Sequence, residues 1–276
     1  YAWRGDYPDP VTPEPDGCGF LHYDGRPTDS FERDAAMLKM VNAHSTELVT
    51  AERLSSGVAV LHSDRAVIHF DALTDPQIGG KNFRVRLAVE TFRELKKNGV
   101  APDIVRACDL EKNVLGVKVL FVPSREGMGK EEWAQLGAFA AKEGHRVFYG
   151  DQQATFGSIS VGGWWDADSL PGNRSVDEFR GGYEIEDVLN KIGFRPLVET
   201  GHKNLFAHVL QGEKRKIVVL VTNAPDEAAI PAHVLRLNFP FTRATLRTPE
   251  QEVTLRVEGE QVFLPAITDG ALLFVE

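Results

Sequence analysis

The sequence predicts an α/β chain in which a doubly wound parallel sheet is followed by a small antiparallel β domain. Three observations lead there. Continuous apolar runs such as Val58-Ala59-Val60-Leu61 and Val117-Lys118-Val119-Leu120-Phe121-Val122 have the character of strands buried on both faces. Helical stretches lie between such runs, the alternation that right-handed βαβ units produce. From about residue 205 the rhythm changes to short strands separated by turn residues.

Three zones follow in order: residues 1–50, 51–200 and 201–276. The first opens with the strand-like Tyr1-Ala2-Trp3 and a loop carrying Pro8, Pro10, Pro13 and Pro15. A helix from about Thr28 to His44 comes next, with Phe31, Ala35, Leu38 and Val41 at helical spacing. A lone strand feeding a helix has no sheet to join, so this zone reads as the tail of a domain whose body lies elsewhere.

In the second zone the first strand is Val58–Leu61. A helix from Lys81 to Asn98 carries Phe83, Leu87, Thr91 and Leu95 on one stripe and stops at Gly99. Ile104-Val105 and Val117–Val122 are strands. Lys130 to Glu143 is a helix with Trp133, Leu136 and Ala140, and Arg146–Tyr149 is the next strand. Residues 151–182, glycine-rich around Trp164-Trp165, read as irregular loop, and Glu184–Ile192 as a short helix.

The third zone offers seven strands: Leu205–Leu210, Ile217–Val221, Val234–Leu237, Ala244–Arg247, Val253–Val257, Gln261–Leu264 and Ala271–Val275. Lys214-Arg215-Lys216, Glu258-Gly259 and Asp269-Gly270 mark turns between them.

Composition narrows the function classes. An apolar content of 42% with 26% charged residues is that of an ordinary globular protein. The net charge of −9 and the lack of a basic stripe argue against nucleic acid. No apolar run reaches the ~18 residues of a membrane span. Cys18 and Cys108 make neither a disulfide framework nor a metal site, and Cys108, following Ile104-Val105, reads as a buried thiol. Compartment stays open, with the cytoplasm favoured.

Catalytic motifs are lacking in the middle zone. There is no Gly-x-Ser-x-Gly or Gly-x-Cys-x-Gly elbow, no Gly-x-Gly-x-x-Gly and no P-loop. Gly127-Met128-Gly129-Lys130 precedes a helix and can receive an anion, though a plain loop is the commoner meaning. The histidines show no metal-ligand spacing, and no cofactor is expected. The acids Glu184/Glu186 and Asp166/Asp168 read as solvated faces. An unfamiliar site around His62, Asp64 and His69 is a minor alternative.

Aromatic residues are the better site candidates. Trp3, with Arg4 beside it, lies where a barrel strand would end, and a flat indole there can stack on a sugar ring. Trp164 and Trp165 can stack on sugar or pack at a subunit contact, with burial of one of them in its own domain an equal alternative.

The stretch Tyr1-Ala2-Trp3-Arg4-Gly5, together with Gly19-Phe20-Leu21-His22-Tyr23-Asp24-Gly25-Arg26-Pro27-Thr28, resembles the end of the TIM barrel in glycoside hydrolases of the family 42 β-galactosidase type. Gly116–Gly150 resembles that family's trimerisation domain, a flavodoxin- or glutamine-amidotransferase-like sheet without a nucleophile. Val219-Leu220-Val221-Thr222-Asn223 and Val262-Phe263-Leu264-Pro265 are similar to its small C-terminal β domain. The resemblance implies a non-catalytic C-terminal portion of such an enzyme, inactive alone. It also implies a homotrimer in which a neighbour's middle domain walls the carbohydrate-binding cleft, with Trp3 as the sugar platform and Arg4 beside it. The acid and nucleophile glutamates of that family have no counterpart in this sequence. The rival reading is a stand-alone binding or regulatory module with a small-molecule pocket at the sheet's carboxyl edge.

Overall fold

The computed structural model describes residues 26–27, 29–73, 83–112, 116–124, 127–155, 158–166, 183–222 and 229–276. They belong to two compact units. One takes residues 54–208 and 235–239; the other combines residues 1–53, 209–234 and 240–276.

The first half of the chain supplies α1 (Asp29–Ala43), α2 (Ser45–Thr50), β1 (Glu52–Arg53), β2 (Val58–His62), α3 (Asp64–Leu73), α4 (Phe83–Lys97) and β3 (Asp103–Arg106). A 3₁₀ helix, Ala107–Lys112, then leads to β4 (Val119–Val122), α5 (Lys130–Ala140) and β5 (Arg146–Thr155). Next come β6 (Ser158–Asp166), α6 (Ile185–Lys191), β7 (Val198–Glu199), β8 (Leu205–Gln211) and β9 (Lys216–Thr222). The chain closes with β10 (His233–Leu237), β11 (Ala244–Arg247), β12 (Glu252–Thr254), β13 (Val257–Glu258), β14 (Gln261–Leu264) and β15 (Gly270–Val275).

The first unit is built on a five-stranded sheet in the order β3-β2-β4-β5-β6. Strands β3, β2, β4 and β5 are parallel, and β6 runs antiparallel at the edge. Alternate residues of β2 go to opposite layers, as the two-residue pleat dictates. Ala59 and Leu61 pack with Leu136 and Phe139 of α5, whereas Val58 and Val60 pack with Leu95 of α4 and Val188 and Leu189 of α6. Both faces are therefore covered, which is why the strands read as unbroken apolar runs. The expected helical stripe holds at Leu87, Thr91 and Leu95, all buried.

Three expectations are corrected. Residues 151–155 and 158–166 are not irregular loop: β5 and β6 pair along a ladder that runs from Phe148↔Asp166 to Thr155↔Ser158. Ser158-Ile159-Ser160-Val161 alternates as a strand does, and the neighbouring glycines masked the pattern. A helix unforeseen from sequence, α3, follows β2, and its start is capped by Ser63, whose hydroxyl oxygen accepts the Ala66 N–H at 3.0 Å. Asp166 is no solvated acid but a buried one, held by Arg146, with Lys191 Nζ 3.7 Å away.

In the second unit β1, β8, β9, β15, β11 and β12 pair as an antiparallel sheet. Met40 of α1 is buried against Ile217, Leu272 and Phe274 of this sheet, with Met37 and Leu48 packed alongside. The stripe read from the sequence lies elsewhere on α1: Leu38 is 56% exposed and Val41 38%. The helix thus has two apolar faces, and the one formed by Met37 and Met40 meets the sheet.

Candidate functional site

Open α/β sheets take ligands outside the carboxyl ends of their parallel strands, so the groups gathered there come first. Strand β2 ends at His62, whose Nε2 is 3.1 Å from Asp64 Oδ1. The other oxygen of Asp64 lies 2.7 Å from Arg106 Nη2, at the end of β3. Arg106 Nε continues to Asp109 at 3.9 Å, and Asp109 accepts from Lys112 Nζ at 3.0 Å. The result is an ionic chain along the sheet's edge in which charges alternate. Asp64 holds Arg106 above its ordinary pKa, and the Lys112 hydrogen bond holds Asp109 below its own.

This chain can fix His62 in orientation, as a carboxylate does for a catalytic imidazole, but among the described residues it brings no hydroxyl or thiol nucleophile to the ring. His62 and Asp64 of the minor alternative do come together; the side chain of His69 lies outside the described residues. Cys108, expected buried, is exposed, because the 3₁₀ helix after β3 turns Ala107 and Leu110 inward instead. Among the described residues no group of three or more His, Cys, Asp or Glu is arranged to hold a metal. Nor is any described helix long and apolar enough to cross a membrane. In the loop Gly127-Met128-Gly129 the last N–H, that of Gly129, is taken by Glu132 Oε2 at 2.7 Å.

The four aromatic and basic candidates fare differently. Trp3 and Arg4 lie outside the described residues, as does the side chain of Trp165. Trp164 is 2% exposed, with its ring edge-on to Phe121 at 4.8 Å between centroids. It is a core residue of its own unit, so neither ring face is offered to a sugar. Its strand pairs with β5, and its backbone bridges Tyr183.

The second unit contains a cavity of about 550 Å³ beside α2 and the β8–β9 turn, with Glu47, Lys214 and Arg215 in its wall. Arg215 Nε and Nη2 donate to the two oxygens of Glu47, each at 2.7 Å. The guanidinium also lies 3.9 Å from the Phe274 ring centre. The hydrogen bond from Arg215 keeps the Glu47 carboxyl below its ordinary pKa. Among the described residues no aromatic side chain lines this cavity.

No family model matches the chain, and no curated protein matches it in sequence. Solved structures do share its fold. A catalytic mutant of a GH42 β-galactosidase from G. stearothermophilus aligns over 100% of this chain and 48% of its own, at TM-score 0.57 and 10% identity. The β-galactosidase from Bacillus circulans sp. alkalophilus aligns over 94% and 47%, at TM-score 0.55 and 13% identity. A β-galactosidase from a Rahnella species aligns over 100% and 48%, at TM-score 0.53 and 12% identity. The chain spans about half the length of the structures it matches.

Proposed function

We propose that this chain is a non-catalytic portion of a glycoside hydrolase of the β-galactosidase kind, contributing oligomerisation and part of a carbohydrate-binding cleft. One observation carries the reading: the whole chain follows one half of a GH42 β-galactosidase, at 100% coverage of itself and 48% of that structure. Its acids support it too. Retaining hydrolysis needs two carboxylates about 5–5.5 Å apart on either side of a bound sugar. Asp64, Asp109, Glu47 and Asp166 are each bound to a cation of their own chain, an arrangement suited to structure. In this reading Trp3 and Arg4 serve the sugar, the sheet unit is the flavodoxin- or amidotransferase-like oligomerisation domain, and the assembly is a trimer.

The purified chain, assayed on an aryl β-galactoside, is expected to give no turnover above buffer, and light scattering is expected to give the mass of a trimer. Turnover that follows the chain through purification would defeat the non-catalytic reading. A monomer at all concentrations would defeat the oligomerisation role.

A further inference from the structure

At the carboxyl ends of β2 and β4 the strand order reverses, since β3 lies on one side of β2 and β4 on the other. In sheets of this kind the reversal opens a crevice walled by helix N-termini, which receives small and often anionic ligands. Here α3 and α5 begin at that place.

The crevice has an occupant already. The Ser63 hydroxyl donates to Glu132 Oε1 at 2.8 Å, while its oxygen accepts the Ala66 N–H in the first turn of α3. The other oxygen, Glu132 Oε2, accepts the Gly129 N–H at the start of α5. Ser63 and Glu132 are each 9% exposed. One carboxylate therefore joins the beginnings of two helices. The glycines at the start of α5 lie close against the first turn of α3. Gly127 has φ +79°, and a Cβ there would come 3.0 Å from Ala66 Cα; a Cβ on Gly129 would come 2.8 Å from Arg65 Nη1.

We infer that Glu132 is the protein's own anion at this crevice, so that the place where the fold would admit an anionic small molecule is held shut by a side chain. The rival reading, a binding module with a pocket at this edge, then loses its pocket. The inference stands apart from the glycosidase reading, because it concerns one crevice and not the parent activity. An ordinary capping interaction would involve α5 alone; the bond to Ser63 is what extends this one to α3.

Replacing Glu132 by alanine would leave the Ser63 hydroxyl and the Gly129 N–H facing a void the size of a small carboxylate. Formate is the probe, with sodium chloride at equal ionic strength as control. The expected result is a lowered Tm for Glu132→Ala that formate restores in part. That rescue should set in at roughly 10–100 mM and then grow with the logarithm of formate concentration, as ligand linkage requires, and the unsubstituted chain should show no formate-specific gain. Absence of formate-specific rescue in a folded Glu132→Ala would overturn the inference. Should that variant not fold, titration of the unsubstituted chain with formate and inorganic phosphate decides. Unmoved Gly129 and Ala66 amide resonances support the inference, and a saturable shift at either overturns it.

Discussion

Arg215 satisfies two partners at once, a carboxylate in the plane of its guanidinium and an aromatic ring across its face. Charge-assisted bidentate pairs of this kind exceed neutral hydrogen bonds in strength, although partial exposure weakens this one. Glu47→Gln is expected to lower stability by about 1–2 kcal/mol, read from urea midpoints. A double cycle with Arg215→Met should recover most of that loss as coupling. Because the folded-state pKa of Glu47 is depressed, its contribution is present above its unfolded value of 4.5 and disappears as pH falls through the folded value. His145 acts in a separate window. Burial, aided by Lys142 and Lys118, lowers its pKa from 6.5, so the unfolded chain takes up the proton first on acidification. Stability should therefore fall as pH drops from 6.5 toward the lower folded value, and His145→Gln should flatten that slope. The Glu47–Arg215 pair could not be read from the sequence, since its members are 168 positions apart and nothing local announces it. Trp164 was visible as a residue worth noticing, yet whether it faced ligand or core depended on a hairpin the glycines concealed.

Helix α1 shows what periodicity does and does not disclose. Its extent, Asp29–Ala43, matches the helix expected over Thr28 to His44. Its packed face does not match the expected stripe. Apolar side chains occur on two sides, and a strict count of Phe31, Ala35, Leu38 and Val41 passes over Met37 and Met40, which meet the sheet. Met40→Ala is expected to cost about 2–4 kcal/mol through lost burial and a residual cavity. Leu38→Ala should change stability by less than ~0.5 kcal/mol in the isolated chain. Comparable losses at both positions in chemical denaturation would mean that the packed face has been misassigned. The same limit applies to β5 and β6: β-pairing is a long-range property, and single residues that interrupt alternation hide it. Helix α3 does carry a local signal, Ser63 as cap followed by Asp64 and an apolar spacing through Ala66 and Val67.

Across the molecule, the βαβ order and the later antiparallel strands were legible because hydrophobic runs of the two kinds differ in length and spacing. How distant segments assemble was not legible. The second unit draws on three stretches of chain, residues 1–53, 209–234 and 240–276, so without the first stretch its sheet lacks β1 and the cover that α1 gives. A fragment of residues 201–276 is accordingly expected to be poorly ordered or aggregation-prone, with weak amide dispersion by NMR. A well-dispersed spectrum from that fragment would show that the strands suffice without the helix.

This discontinuity has a consequence for biosynthesis. Met40 leaves the ribosome long before Ile217, Leu272 and Phe274, the residues that cover it. At ~5–20 residues per second, the apolar side of α1 waits roughly ten seconds or more for its cover. During that interval the nascent helix is bait for holdases, and the arrival of β15, the last of the strands that cover it, sets the moment at which it is released.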